Sequence, residues 1–245
     1  MSSREPLSCR RRFALRLALL RLVTAIAALC GASPVLAEDG AWRPLEVVRY
    51  AQPGGPTFVL TVEDDPSSGD TPRLRISRSG VADFVVLPPG GLVSTAEGLI
   101  DMDRPPPNLV RSKFVYLTKA LRDRSGHPFL IVFGHGYASD PYSIRILRLA
   151  PSGAPKYALS EDQFEVEEIL DLDHKGIGLA GRRTLSEVVG DCRKTYDPYA
   201  VLRLSPSTQT FVYSPRLSRS YTLKRLGRWA GPKARDDVTV PSACP

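Results

Sequence analysis

One short segment of the chain carries the residue types that a hydrolase needs. His135, Ser139 and Asp140 lie close together, directly after a strongly apolar run. In a catalytic triad the imidazole would act as base, the hydroxyl as nucleophile and the carboxylate as the group that orients the imidazole. Residues this close in sequence seldom converge in that geometry, and the sequence has no G-x-S-x-G nucleophile elbow. The segment therefore predicts a loop, with a hydrolase site as the alternative.

Three carboxylates further along the chain are of the kind that glycosidases use as acid and base. Glu165, Glu167 and Glu168 are near neighbours, and strand alternation would place Glu165 and Glu167 on one face. The simpler interpretation is that this face is exposed to solvent and does not form a glycosidase site. His127 and His174 each stand alone, with no second His or Cys at the spacing of a zinc site, so the sequence contains no zinc motif.

An acidic segment follows, with Asp171, Asp173 and Gly176 at its turn. It resembles the acidic loop of FG-GAP and VCBS repeats, the integrin-α-type propeller family, in which the loop runs roughly D-x-D-x-D-G before a strand. The resemblance implies a propeller-like repeat and a calcium ion, because a hard cation takes several oxygen ligands at a sharp turn. Here Lys175 replaces the third acidic residue, and Leu179 stands where a further ligand is expected. We therefore expect a degenerate loop and no cofactor, with calcium on Asp171 and Asp173 as the alternative.

A basic stretch near the C-terminus offers charge and aromatic surface. Residues 216–235 contain seven Lys and Arg and no acidic residue. Arg225, Arg228 and Trp229 are candidate contacts to an anionic polysaccharide or to lipid headgroups, through charge and ring stacking. The alternative is a solvated terminal strand whose basic side chains protect an exposed sheet edge.

The elements that must position these residues are β-strands. Short apolar runs of period two are separated by turns rich in the 22 Pro and 19 Gly. Residues 140–152 parallel residues 197–207, each copy is followed by a polar gap and another apolar run, and 73–86 is a fainter copy. Only 163–170 fits a helix, and it fits a strand too.

This repeat predicts an all-β fold of about three irregular four-stranded antiparallel units, propeller-like, with a β-sandwich as the alternative. Each unit has an apolar face that it cannot cover alone, so the units must pack face to face. We expect residues 45–50 to pair with a last strand near 221–223 and close the array. The β-repeat domain is then 38–226, followed by a polar tail, 227–245.

The first 37 residues have the three parts of an export signal, namely a basic region, a short apolar stretch and small residues before a cleavage point after Ala37. Arg21 interrupts the apolar stretch, which is shorter than the ~20 residues of a membrane span. We expect the signal to be removed and no transmembrane span in the mature chain. Residues 10–15 resemble a twin-arginine signal, with ordinary Sec export as the alternative. Both routes predict a bacterial protein of the periplasm or cell exterior.

Removal of the signal leaves two cysteines, Cys192 and Cys244. In an oxidising compartment an even pair predicts a disulfide. It would tie the polar tail to the body of the domain.

Charge excludes one class of partner. Six of the 33 basic residues and one of the 26 acidic residues lie in residues 1–37, which leaves a net charge of +2 for the remainder. That balance is not typical of a nucleic-acid-binding protein. The sequence predicts an exported, non-catalytic module that interacts with a protein or glycan, and the alternative is a cell-envelope hydrolase of glycans or esters with a loop site near His135.

Overall fold

Strands form more than half of the described chain, because short alternating apolar runs are separated by turns. The computed structural model describes residues 42–65, 71–95, 108–135, 143–172, 176–189 and 192–232, which all belong to the compact unit Trp42–Pro245. The strands are β1 Arg43–Ala51, β2 Thr57–Asp64, β3 Arg73–Arg78, β4 Val81–Val86, β5 Asn108–Arg111, β6 Tyr116–Arg122, β7 Pro128–Gly134, β8 Ser143–Arg148, β9 Lys156–Glu161, β10 Phe164–Asp171, β11 Ile177–Arg183, β12 Leu185–Val189, β13 Cys192–Tyr196, β14 Tyr199–Leu204 and β15 Phe211–Tyr213. They are followed by helix α1, Pro215–Leu226.

These strands form three antiparallel sheets in chain order. The first sheet contains β1 to β4, the second contains β5 to β9, and the third has the order β10-β11-β14-β15. Strands β12 and β13 pair with each other as a hairpin inserted between β11 and β14. The prediction of an all-β fold with about three antiparallel repeats is confirmed. The order fits a propeller-like array and a sandwich alike, and the second sheet has five strands instead of four.

The repeated sequence segments occupy equivalent places in the three sheets. Their hairpins are β3–β4, β8–β9 and β14–β15, and each forms the last two strands of its sheet. The sequence repeat therefore corresponds to a structural repeat in the described residues.

The second sheet lies between the other two, because each of its faces belongs to a different hydrophobic core. Strand β7 is buried along its whole length. Phe129, Ile131 and Phe133 belong to the core shared with the third sheet. Leu130 and Val132 belong to the core shared with the first sheet. Because successive side chains of β7 point to opposite faces of the sheet, this one strand contributes to both cores. The first and third sheets each have one face that belongs to neither core.

One prediction about an individual element is wrong, and one open alternative is decided. The segment 163–170, which fits a helix and a strand alike by its sequence, contributes residues 164–170 to strand β10. The expected last strand near 221–223 lies inside helix α1, so it does not pair with 45–50, and β1 pairs with β2 at the edge of the first sheet. The helix forms because Pro215 suits a first turn and Gly227 suits the residue after a helix end.

Candidate functional site

Helix α1 has well-defined ends that its sequence explains. Pro215 occupies the first turn, where a missing N–H costs nothing, and Gly227 follows the last turn with a left-handed φ of 70°. The Gly227 N–H donates to the carbonyl oxygen of Leu223 at 2.9 Å. The helix has no acidic residue in its first turn and has Lys224 and Arg225 in its last turn, where cations interact favourably with the helix dipole.

The helix takes the place of a strand along the edge of β14. Strand β15 pairs only with residues 202–204 of β14. Beyond that point the Ser218 hydroxyl accepts from the Val201 N–H at 2.8 Å, and the Thr222 hydroxyl donates to the Tyr199 carbonyl at 3.1 Å. The Ser214 N–H donates to the Val201 carbonyl at 2.9 Å. Both hydroxyl side chains are fully buried, so α1 satisfies strand groups that would otherwise form an open edge.

Replacing Ser218 with alanine is expected to loosen α1. The substitution leaves the buried Val201 N–H without its side-chain acceptor, which costs about 1 to 3 kcal/mol. Urea denaturation measures the loss of stability, and hydrogen exchange at the Val201 amide measures the local opening. The control is Ser220→Ala, at an exposed position of the same helix. Equal stability of the two variants would contradict the role assigned to Ser218.

A cluster of charged and aromatic residues fixes α1 against the outer face of the third sheet. We name it the α1 anchor, and its members are Glu167, Glu168, Arg182, Tyr199, Tyr221 and Arg225.

A β-bulge in β10 brings the acidic members of the anchor to this face. The register with β11 shifts between Val166 and Glu168, so Glu167 is the extra residue. Arg182 of β11 donates to Glu167 at 3.2 Å, and Arg225 of α1 donates to it at 3.0 Å. The Glu167 side chain is only 12% exposed, so two guanidinium groups compensate a largely buried carboxylate. The expectation that Glu165 and Glu167 would follow simple alternation misses this bulge.

Aromatic rings complete the anchor. The rings of Tyr199 and Tyr221 pack edge to face with centroids 5.4 Å apart. The guanidinium carbon of Arg225 lies 5.6 Å from the Tyr199 ring and 5.9 Å from the Tyr221 ring, within the range of cation–π attraction. The Tyr221 hydroxyl donates to Glu168 at 2.6 Å. The hydrogen bond to Glu167 raises the pKa of Arg225 above its usual range, so this cation stays charged.

The Tyr221 phenol gives the anchor a dependence on alkaline pH. Burial, and then the hydrogen bond to Glu168, raise the pKa of Tyr221 above its ordinary value of 10.0. Because the folded chain holds this proton more tightly than the unfolded chain, the stabilisation is fully present below about pH 10 and is lost as the pH rises further.

We therefore expect the free energy of unfolding to fall more steeply above about pH 10 in the natural chain than in Tyr221→Phe. Urea denaturation at a series of alkaline pH values measures this difference. Tyr213→Phe, outside the anchor, is the control and should follow the natural chain. Parallel curves for the natural chain and Tyr221→Phe would show that the phenol is not held in this way.

The outer side of α1 is basic and partly apolar. We name it the α1 surface, and its members are Arg216, Arg219, Leu223, Lys224 and Leu226, all exposed to solvent. Leu223 is 41% exposed and Leu226 is 43% exposed. Just beyond the helix, Trp229 lies with its ring 5.4 Å from the guanidinium carbon of Arg219, and its indole N–H donates to the Pro232 carbonyl at 3.0 Å.

The predicted contacts to an anionic partner are thus divided between two places. Arg225 lies in the α1 anchor, where it is paired with Glu167. Arg228 and Trp229 follow the helix, and Arg228 is exposed while Trp229 is half-buried. The basic stretch is evident from the sequence, whereas the role of Glu167 and Glu168 in holding it is visible only in the fold.

The predicted hydrolase residues are only partly within the described chain. His135 is an exposed residue directly after β7, and its backbone N–H donates to the Gly91 carbonyl at 3.2 Å. Ser139 and Asp140 lie outside the described residues. The structure therefore shows a loop position for His135 and does not test the triad.

The candidate calcium loop is described at its two ends. Asp171 is exposed at the end of β10, and Gly176 has a left-handed φ of 92°. The Leu172 N–H donates to the Gly176 carbonyl at 3.0 Å, which closes the turn that the sequence predicts. Asp173 lies outside the described residues. Over the described ranges, no three His, Cys, Asp or Glu side chains are grouped as a metal site would require.

The predicted disulfide also stays a prediction. Cys192 begins β13, and Cys244 lies outside the described residues.

The buried charges of the first sheet are engaged with one another. Glu63 is 4% exposed and accepts from Arg73 at 3.1 Å and from Arg75 at 2.6 Å. Asp64 is 6% exposed and accepts from Arg43 at 3.1 Å. These ion pairs connect β1, β2 and β3, so they stabilise the first sheet.

Comparison with known proteins adds no relative from which a role could be transferred. The chain matches no protein-family model, no curated protein and no solved structure. In the part of the chain that the structure describes, no helix combines the length and hydrophobicity of a membrane span.

Proposed function

We propose that this chain is an exported β-repeat module, of the periplasm or cell exterior, that interacts with a partner and does not catalyse a reaction. The observation that carries the proposal is the division of α1 into two sides. Its inner side is held by Ser218, Thr222 and the α1 anchor. Its outer side, the α1 surface, presents cations and leucines to solvent.

The three sheets supply a rigid support for this helix. The second sheet is covered on both faces by apolar cores, and the third sheet carries the anchor on its outer face. A helix fixed along a strand edge keeps its side chains in one arrangement, and such preorganisation reduces the entropy that binding must overcome. The architecture therefore supports recognition at the surface.

A screen for turnover tests the non-catalytic part of the proposal. The full chain is incubated with chromogenic esters and glycosides, beside His135→Ala and, as a matched control, His127→Ala. We expect no turnover above the buffer rate for any of the three proteins. Turnover that His135→Ala abolishes and His127→Ala retains would overturn the proposal in favour of the hydrolase.

A further inference from the structure

We propose that the α1 surface docks on a lipid bilayer rich in anionic headgroups. This inference rests on the proposed function and names the partner of the same surface. It depends on where the side chains lie around the helix, on their charge, and on the leucines among them.

The geometry of α1 separates its buried and exposed sides. Ser218 and Thr222 are four residues apart and therefore share one side of the helix, the side that contacts β14. With about 100° between successive residues, Arg216, Leu223 and Lys224 lie on the opposite side. Arg219 lies at one margin of it, and Leu226 lies next to Arg219, just beyond that margin.

On the exposed side, the cations Arg216, Arg219 and Lys224 form no ion pair with an acidic residue that the structure describes. Residues 214–232 contain no Asp or Glu. Arg225 pairs with the sheet through Glu167. Within the described residues, Arg216 and Lys224 form no ion pair, and Arg219 faces the ring of Trp229. Cations that cluster in this way are attracted to an anionic membrane surface.

The leucines favour a bilayer over a soluble polyanion. Leu223 and Leu226 are about two-fifths exposed among these cations. A polysaccharide chain offers such side chains no apolar phase, whereas the boundary between headgroups and acyl chains does. Trp229, at the end of the helix, is a residue type that is enriched at membrane interfaces. The exposed part of α1 therefore combines cations with two partly exposed leucines.

Flotation with lipid vesicles tests the inference. The full chain is mixed with vesicles of phosphatidylcholine alone and with vesicles that also contain phosphatidylglycerol. The charge variant is Arg216→Gln/Arg219→Gln/Lys224→Gln, and its matched control is Arg49→Gln/Arg124→Gln/Lys156→Gln, three exposed cations elsewhere. The apolar variant is Leu223→Ala/Leu226→Ala, with Val47→Ala/Leu87→Ala as its matched control, since both control side chains are more than half exposed.

We expect preferential binding to the phosphatidylglycerol vesicles that weakens as salt screens the charges. The charge variant should bind about 100-fold more weakly, as expected from the loss of three cations at a membrane surface. The apolar variant should also bind more weakly, and both controls should bind like the natural chain. Any contribution of residues 1–37 is common to all five proteins, so it does not affect these comparisons.

Three outcomes would overturn the inference. In the first, the charge variant and its control lose binding equally, which assigns the effect to overall charge. In the second, all variants bind the vesicles like the natural chain. In the third, the apolar variant is unaffected and the charge variant loses binding to dextran sulfate, which points to a polysaccharide. None of these outcomes produces turnover in the substrate screen, so a failure of the inference is distinguishable from a failure of the proposed function.

Discussion

Replacing Gly181 with alanine is expected to destabilise the protein by about 3 kcal/mol or more, the upper range for forcing extra volume into a packed interior. A Cβ atom at this position would lie 2.8 Å from the carbonyl carbon of Glu165 and 2.9 Å from the Cα of Val166, and it would contact the Glu165 carbonyl oxygen more closely still. These are backbone atoms of β10, so a side-chain rotation cannot relieve the overlap.

The close approach lies beside the bulge that places Glu167 in the α1 anchor. Gly181→Ala should therefore also loosen α1. Urea denaturation followed by circular dichroism measures the stability, and hydrogen exchange at the Val201 amide measures the helix contact.

Gly80→Ala provides the control for the loss of a glycine. Gly80 has a left-handed φ of 74°, and a Cβ there would meet nothing within 4 Å. Its replacement should lower the free energy of unfolding by only about 1 kcal/mol, because a non-glycine residue is disfavoured in the left-handed conformation. If Gly181→Ala is no more harmful than Gly80→Ala, β10 and β11 do not approach as described.

Truncating either of two consecutive residues of β7 is expected to lower the free energy of unfolding strongly. Phe129 and Leu130 are fully buried, but they belong to different cores. Phe129→Ala should cost about 3 to 5 kcal/mol and Leu130→Ala about 2 to 5 kcal/mol, because each removes buried apolar atoms and leaves a cavity. Phe129 also loses a tilted ring contact with Phe211, whose centroid is 6.0 Å away.

The comparison of the two variants tests whether the second sheet is covered on both faces. In a sheet with one solvated face, one of two successive residues tolerates truncation. Equilibrium denaturation measures both variants, with Val85→Ala as a control at a 44% exposed position, where the expected change is about 0.5 kcal/mol or less. A harmless substitution at either β7 position would contradict the stacked arrangement.

The strands were predictable because each contains a short apolar run that turn residues bound on both sides. The apolar run 129–133 and the two parallel copies at 140–152 and 197–207 contain β7, β8 and β14 or parts of them. The three hairpins occupy equivalent places, as a repeat requires. The inserted hairpin β12–β13 was not expected, because the repeated segments do not include it.

Helix α1 was missed because its inner side is polar. Its buried residues are Ser218 and Thr222, so the helical period does not appear in its apolar residues, which is the signal that usually reveals a helix. Pro215 and Gly227 were available as start and stop signals. These two residues indicate a helix between them, whereas the basic residues of the same segment do not distinguish a helix from a strand.

The candidate site was predictable in its chemistry but not in its construction. The excess of Lys and Arg after residue 215 is plain from the sequence, and it leads to the α1 surface. The anchor depends on a bulge at Glu167, which Arg182 helps to hold, and on contacts from Glu167 and Tyr199 to a helix far along the chain. Such contacts follow from tertiary packing, which local sequence patterns do not encode.

Fluorescence of Trp229 tests most directly whether the chain works by binding through the α1 surface. The chain has two tryptophans, so Trp42→Phe leaves Trp229 as the sole emitter, next to Arg219. On addition of phosphatidylglycerol vesicles we predict that its emission shifts to shorter wavelength, that iodide quenches it less, and that high salt reverses both changes. An unchanged spectrum and unchanged quenching, at vesicle concentrations that bind the chain, would contradict this claim.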